Sequence, residues 1–406
     1  MNGSLDGQLV SPAFLSDPYP VYRQLQAEAP VYWSEFWNAW LVTGYDDNLA
    51  VFRDSEHFGN AGRFNGLFAG LTPDVRQDVE RLEAHFTRSG GLIHSDPPDH
   101  TRLRRLVHLA FAPRIVRQMQ PLIESIVQRC LDAVQGRGQM DVIHDLAYPL
   151  PATVVARMLG VPEQDIDRFK RWSYEVLLFQ ATGRTTPDVV RLSNTALVEM
   201  KDYLRRLAVS CRAEPQDDLM TALVQAEDQG DRLTEEEMLA TCLTLMVAGH
   251  ETTTNLIANG TLTLLRHPDQ LERLRDNPAL MDSAVEEFLR YESPIQRNRR
   301  VVRTEVEFGG QPMKPGEVVF QMLGAANRDP DVFPDPDTLD ITRQPNPHIA
   351  FGFGIHFCLG APLARLEAPI ALRALIDRLP AMRLADAELE WVPNIMRGLK
   401  SLRVTF

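Results

Sequence analysis

The stretch Phe351-Gly-Phe-Gly-Ile-His-Phe-Cys358-Leu-Gly360 constrains this chain of 406 residues more than any other. It sets one cysteine between a turn rich in glycine and aromatics and the start of an expected helix. Gly352 and Gly354 accept φ > 0 and let a flat group approach the backbone closely. Phe351, Phe353 and Phe357 offer apolar planes to cover such a group. Pro362 falls in the first turn of the helix expected from Leu359 onward. A thiolate at this point lies near unsatisfied N–H groups and the positive end of a helix dipole, which lower a cysteine pKa and favour the anion as a ligand. Zinc sites gather several ligands close in sequence, whereas haem iron takes a single axial thiolate. Cys358 is therefore the candidate metal ligand.

A second constraint lies upstream. Thr234 and Glu237 form a capping box for the longest expected helix, which runs to about Arg266 and is apolar on nearly all sides. Its middle reads Ala248-Gly249-His250-Glu251-Thr252-Thr253-Thr254-Asn255. Glycine and β-branched hydroxyl residues cost helix propensity, and a buried carboxylate is costly unless paired, so the segment reads as a site. Elsewhere, His100 and Arg104 stand four apart on one helical face and can reach a single anion. Glu287 and Arg290, three apart, are neighbours on another helix, although Glu-x-x-Arg alone is a weak motif. Glycines punctuate residues 58–94 around Phe64, Leu67 and Phe68, as in a lid or binding loop. A second apolar segment, Trp172 to Ala181, turns abruptly polar over 182–187.

Composition narrows the classes. Hydrophobic residues at 44% with 24% charged supply an ordinary globular core, and a net charge of −13 argues against general affinity for nucleic acid or anionic membrane. Cys130, Cys211, Cys242 and Cys358 form no close-spaced pair, as expected in a reducing compartment, and a cytoplasmic protein is inferred. The first residues show neither a basic flank nor an apolar run suited to a signal peptide or membrane anchor.

Position for position, the stretch around Cys358 resembles the haem-binding loop of the bacterial cytochromes P450, and the resemblance runs from about residue 17 to the end. It implies a mainly α (α+β) cytochrome P450 fold: a helical bundle around a buried haem with small β-sheets. It further implies a flexible N-terminal arm over 1–16 and a single domain over 17–406. The cofactor implied is haem b, with Cys358 as its proximal ligand and Phe351, Gly360, Ala248 and Gly249 against it. His100, Arg104, Arg300 and His356 align with the family's propionate contacts. A one-residue slip would bring Arg297, Arg299 or Arg303 toward the place of Arg300. Glu251 and Thr252 match the acid and alcohol that deliver protons during dioxygen activation, and Gly249 would leave the oxygen ligand room. Glu287 and Arg290 match a structural pair that fastens the segment before the cysteine loop. Thr338 stands where the family commonly has a further arginine, which leaves open the residue that completes this network. The substrate pocket would draw on Phe64, Leu67, Phe68, Leu92, Ile93, Phe179, Val247, Ala248, Ile295, Ile395 and Met396.

The reaction implied is insertion of one oxygen atom from O2 into a C–H or C=C bond of a bulky, mainly apolar molecule such as a natural product, steroid or fatty acid. Thiolate ligation of haem favours O–O cleavage. No Gly-x-Gly-x-x-Gly follows a strand and opens a helix, so NAD(P)H would act only through separate partners, a ferredoxin and its reductase. Arg102, Arg105, Arg114 and Arg117 could form a local basic patch for an acidic partner. A monomer without a membrane anchor is expected. Two other readings are a haem-thiolate peroxygenase, which generally lacks the Glu251–Thr252 pair, and a non-enzymatic haem or ligand-binding sensor, which no DNA-binding or signalling segment supports.

Overall fold

The computed structural model describes residues 5–68, 70–87, 91–111, 113–181, 186–228, 230–393 and 395–406. The chain divides into two compact units. One comprises Met1–Phe58, Ile123–Leu150 and Thr252–Phe406; the other comprises Gly59–Leu122 and Pro151–Glu251.

The first unit is built on a five-stranded sheet. Its strands are β1 (Val31–Ser34), β2 (Ala39–Val42), β3 (Phe58–Gly59), β4 (Asn298–Val302) and β5 (Val318–Gln321), in the order β1-β2-β5-β4-β3. Aromatic and polar residues alternate from Val31 to Val42, which predicts a hairpin. β1 and β2 form it, with Trp33 opposite Trp40 and their rings 5.2 Å apart. β5 runs parallel to β2 and antiparallel to β4. Residues 5–16, expected as a loosely held arm, form two short helices here, and the Asp6 carboxylate accepts from Ser34 Oγ and the Glu35 N–H.

In the second unit, helices α1 (Asp99–Ala110), α3 (Ile166–Ala181) and α4 (Pro187–Ala213) dominate, with most of α2 (Pro149–Met158) and the first half of α5 (Glu235–Arg266). α3 and α4 are joined by Trp172 Nε1 donating to Glu199 Oε2 (2.7 Å) and Ser193 Oγ donating to the Glu175 carbonyl (2.7 Å). The capping box at α5 is present: Thr234 N donates to Glu237 Oε2 (2.8 Å) and Glu237 N to Thr234 Oγ1 (3.2 Å). Asp99 is the first residue of α1 and no side chain caps this start, while the Asp96 carboxylate accepts the Asn60 and Ala61 N–H groups at 2.8 and 3.1 Å. No described helix is long and apolar enough to cross a membrane.

In the first unit, α6 (Met281–Tyr291) carries Glu287 and Arg290 as a fully buried pair. Arg290 donates two bonds to Glu287 (2.7 and 2.8 Å) and others to the carbonyls of Asn327, Pro336 and Thr338. The residue that sequence left open is Arg343, whose guanidinium reaches Glu287 at 3.2 Å and the Pro334 and Thr338 carbonyls. Asn346 Nδ2 and the Asp340 N–H supply further donors to the same carboxylate. Thr338 therefore serves through its carbonyl, and a side chain five residues on provides the charge.

A buried carboxylate stripped of one cationic partner retains its desolvation cost. Arg290→Met is expected to lower unfolding free energy by about 3–5 kcal/mol, and Arg343→Met by a smaller amount, about 1–3 kcal/mol. Urea titrations of the two variants check both the size and the order.

Candidate haem-thiolate site

The cysteine loop forms as its glycines dictate. Gly352 and Gly354 adopt φ of +71° and +70°, a region that side chains disfavour, and a short 3₁₀ turn follows over Gly354–His356. The Cys358 N–H donates to the Phe351 carbonyl at 2.9 Å and closes the loop. Helix α7 (Ala361–Arg378) then starts with Pro362 in its first turn and Gly360 at its cap. Among the described residues, no three His, Cys, Asp or Glu side chains gather as a metal-holding cluster.

The rings on this loop are not packed away. Phe353 and Phe357 are 37% and 39% exposed, and Ile355 beside them is exposed as well. Leaving such side chains partly wet forfeits a fraction of the about 1.5–3 kcal/mol that full burial of each supplies. A flat apolar group on the loop would recover part of that, so these residues fit a porphyrin.

Phe52 resolves which arginine of β4 faces the loop. Its ring lies 3.6 Å from where a Cβ on Gly352 would sit, and its carbonyl 3.1 Å from the same position on Gly354. The guanidinium of Arg300, a buried residue, lies 5.4 Å from the centre of that ring. Arg299 pairs with Phe320 across the sheet, and Arg297 lies 4.5 Å over the Trp37 ring. Strand alternation thus sends Arg300 toward Phe52 and Arg299 to the opposite face. Burial lowers the pKa of Arg297 and brings that of Arg299 down to about 10, the strain expected of guanidinium groups taken out of water. His356 is half-buried.

Also in the first unit, Ile295 and Met396 form an isolated antiparallel bridge, and Gln296 N donates to the Ile395 carbonyl at 3.1 Å. Three of the expected pocket residues are thereby brought together. Asn259 of α5 holds this terminal turn by donating to the Arg397 carbonyl (2.8 Å). Gly398 leaves the space that Asn255 occupies, since an added Cβ would fall 2.6 Å from Asn255 Oδ1.

Within α5, Val247, Ala248, Glu251 and Thr252 share one helical face and are all incompletely covered, whereas Thr253 to Leu262 are buried throughout. An uncovered face on an otherwise interior helix is the mark of a site. Burial raises the Glu251 carboxyl to about 7. His250 is buried, its Nδ1 3.1 Å from Ser173 Oγ and 3.0 Å from the Met246 carbonyl, and burial lowers its pKa. Gly249 has a packing reason of its own: an added Cβ would lie 2.9 Å from Val155 Cγ2 of α2.

The second unit holds His100, buried, and Arg104, partly buried, on one face of α1. Phe64 packs edge-to-face on Phe86 (5.7 Å) and His94 (5.4 Å). Phe68 and Leu92 are buried and Ile93 is half-buried. The side chains of Leu67 and Phe179 lie outside the described residues. Phe52, Asn259, His94 and Arg343 were not singled out in sequence. A helix residue one ring away from a loop 300 positions later carries no local signal, whereas Asn259 on an apolar helix could have been flagged.

The cytochrome P450 family model matches residues 72–381. The biotin biosynthesis cytochrome P450 of Bacillus subtilis (strain 168) is 41% identical over 399 residues, covering 98% of each chain. Cytochrome P450 monooxygenase PikC of Streptomyces venezuelae is 43% identical over 402 residues, 96% of this chain and 91% of PikC. The crystal structure of P450BioI in complex with hexadec-9Z-enoic acid ligated acyl carrier protein matches with a TM-score of 0.87 at 40% identity, covering 98% of this chain and 100% of that one. A mainly helical fold with small sheets is the framework that this chain shares with the structural relative. The chain belongs to the cytochrome P450 family. It is, like its monooxygenase relatives, an oxygen-incorporating oxidoreductase.

Glu251 supplies a test by pH. Its folded pKa is raised above the unfolded value of 4.5 to about 7, so the folded state binds the extra proton and its stability falls as pH rises through that window. Glu251→Gln removes the penalty. The variant should match the parent in stability below about pH 4.5 and exceed it by up to about 3 kcal/mol above pH 7, as read by denaturant unfolding across pH.

Proposed function

We propose that this chain inserts one oxygen atom from O2 into a C–H or C=C bond of a bulky, mainly apolar small molecule, with electrons that originate in NAD(P)H and arrive through a ferredoxin and its reductase. Cys358 carries the proposal, as the one cysteine of an aromatic loop on which Phe353 and Phe357 stay part-exposed. Haem b, when bound, supplies the redox chemistry of dioxygen activation. Cys358 would hold its iron through Sγ, with Phe351, Phe353 and Phe357 excluding water from the ligand. Arg300 and His356, together with His100 and Arg104, would meet its carboxylates; the buried guanidinium of Arg300 favours an anion there.

Proton handling falls to α5. A carboxyl held near 7 carries a proton part of the time at neutral pH and gives it up readily, which suits Glu251 to transfer. Thr252 is the next residue, and its hydroxyl can accept a proton and donate one. Phe64, Phe68, Leu92, Ile93, Val247, Ala248, Ile295, Ile395 and Met396 would present an apolar pocket. Its chemistry suits a natural product, steroid or fatty acid. The fatty-acyl carrier complex of the structural relative supports the last of these.

The remaining readings rest on less. Arg102, Arg105, Arg114 and Arg117 would form the basic patch for a ferredoxin; Arg105 and Arg117 are exposed, and Arg102 pairs with Asp231 and Glu237 and Arg114 with Asp217. A single catalytic domain over 17–406, working as a cytoplasmic monomer apart from membrane and nucleic acid, completes the proposal.

Thr252→Ala should keep consuming NAD(P)H while product falls at least tenfold and hydrogen peroxide rises in its place; unchanged coupling would contradict the proton role. Cys358→Ser should lose the thiolate-type Soret band of the reduced carbon monoxide complex. Charge reversal at Arg105 and Arg117 should slow ferredoxin-driven turnover and flatten its dependence on salt, as measured by stopped-flow reduction.

A further inference from the structure

Two neighbouring carboxylates on α6 are used differently. Glu287 is spent on Arg290 and Arg343, inside the structural network. Glu286 faces the cysteine loop, where it takes a bidentate pair from Arg365 of α7: Nε to Oε1 at 2.7 Å and Nη2 to Oε2 at 2.8 Å. His348 completes the group, with Nε2 2.9 Å from Glu286 Oε2. The Ala350 N–H donates to His348 Nδ1 at 3.3 Å, so the ring proton sits on Nε2 and points at Glu286. Arg365 is held in one geometry by this fork.

That geometry lays the guanidinium over the Phe351 ring, 4.6 Å from its centre. The same Phe351 receives the Cys358 N–H through its carbonyl. Hydrogen bonding to Glu286 raises the Arg365 pKa, and the negative charge of Cys358 adds to the rise, so cation and thiolate feel one another. Burial pushes the Glu286 carboxyl up, but its bonds from Arg365 and His348 outweigh this and hold it at about 2. The Arg365–Glu286 pair therefore stays charged at any working pH.

We propose that Arg365 is a positioning residue for the Cys358 thiolate: anchored by Glu286 and His348, it pins the Phe351 ring and places a positive charge that favours electron arrival beside the sulfur. The proposal rests on Cys358 being the haem ligand. One electron from a ferredoxin-class donor enters the haem–thiolate unit and makes it more negative by one charge. A nearby cation stabilises the reduced state, and a nearby anion opposes it.

The test is the midpoint potential of the haem-loaded protein, read by spectroelectrochemistry. Arg365→Gln should lower the reduction equilibrium constant about tenfold, which is about 59 mV for one electron. Glu286→Gln removes the opposing charge while its amide oxygen still accepts from Arg365 and keeps the guanidinium in place, and should raise it. Arg365→Lys keeps the charge and should stay closer to the parent than the glutamine variant does, and it is the arm to read if Arg365→Gln fails to load haem. A purely structural role would move the first two variants in the same direction, so shifts of equal sign, or none in either, overturn the proposal. A parent protein without the thiolate-type Soret band in its reduced carbon monoxide complex would overturn the ligand reading itself, a separate outcome.

Discussion

Glu287 sits where no water reaches its carboxyl, and a carboxylate in that position is tolerable only if donors surround it. Arg290 comes from its own helix, Arg343 and Asn346 from the segment that follows, and the Asp340 backbone from between them. The chain from 327 to 346 has few regular elements to hold it. Instead, its carbonyls at Asn327, Pro334, Pro336 and Thr338 are gathered onto the two guanidinium groups. Because the cysteine loop begins only a few residues later, its placement against α6 and α7 depends on that one buried anion. Geometry here is held by saturated polar contacts rather than by apolar packing, which lets a loop keep a fixed shape while its aromatic face stays open.

The same logic explains what could be read from sequence and what could not. The loop around Cys358 was legible because every requirement is local: two glycines at positive φ, a ring either side, a proline one helical turn on. The capping box at Thr234 and Glu237 was legible for the same reason. Arg343 was not, since its usefulness depends on how an irregular segment folds back on α6, and nothing in the surrounding residues announces that path. Choosing Arg300 over its neighbours needed the sheet register and the position of Phe52 in a distant helix. No side chain caps the start of α1, and the Asp96 carboxylate just before it holds the chain at Asn60 and Ala61, a pairing with residues 36 and 35 positions away that no local signal announces.

Gly249 shows how packing and chemistry share a residue. Sequence reasoning gives it the task of leaving room for a ligand, and the structure adds that Val155 already occupies the space a side chain would take. The two demands are compatible because a helix turns about 100° per residue. Gly249 answers to α2, while Val247, Ala248, Glu251 and Thr252 lie along the uncovered face. The close approach of Val155 limits how α5 can turn at this point, where Val247, Ala248, Glu251 and Thr252 are incompletely covered. A substitution at Gly249 would therefore act on Glu251 and Thr252 by turning the helix, even with both side chains intact.

Two glutamates complete the argument by being pushed in opposite directions. Glu251 is partly covered and desolvation dominates its surroundings, so its carboxyl rises to about 7 and can exchange a proton near neutrality. Glu286 is half-covered and bonded by a guanidinium and an imidazole, so it falls to about 2 and never does. The first is fitted to move a proton and the second to hold a cation still. Were their surroundings exchanged, the acid on α5 would be locked as an anion and the fork under Phe351 would lose its charge at working pH. What separates proton transfer from positioning in this chain is the supply of donors around each carboxyl, since the side chain itself is the same.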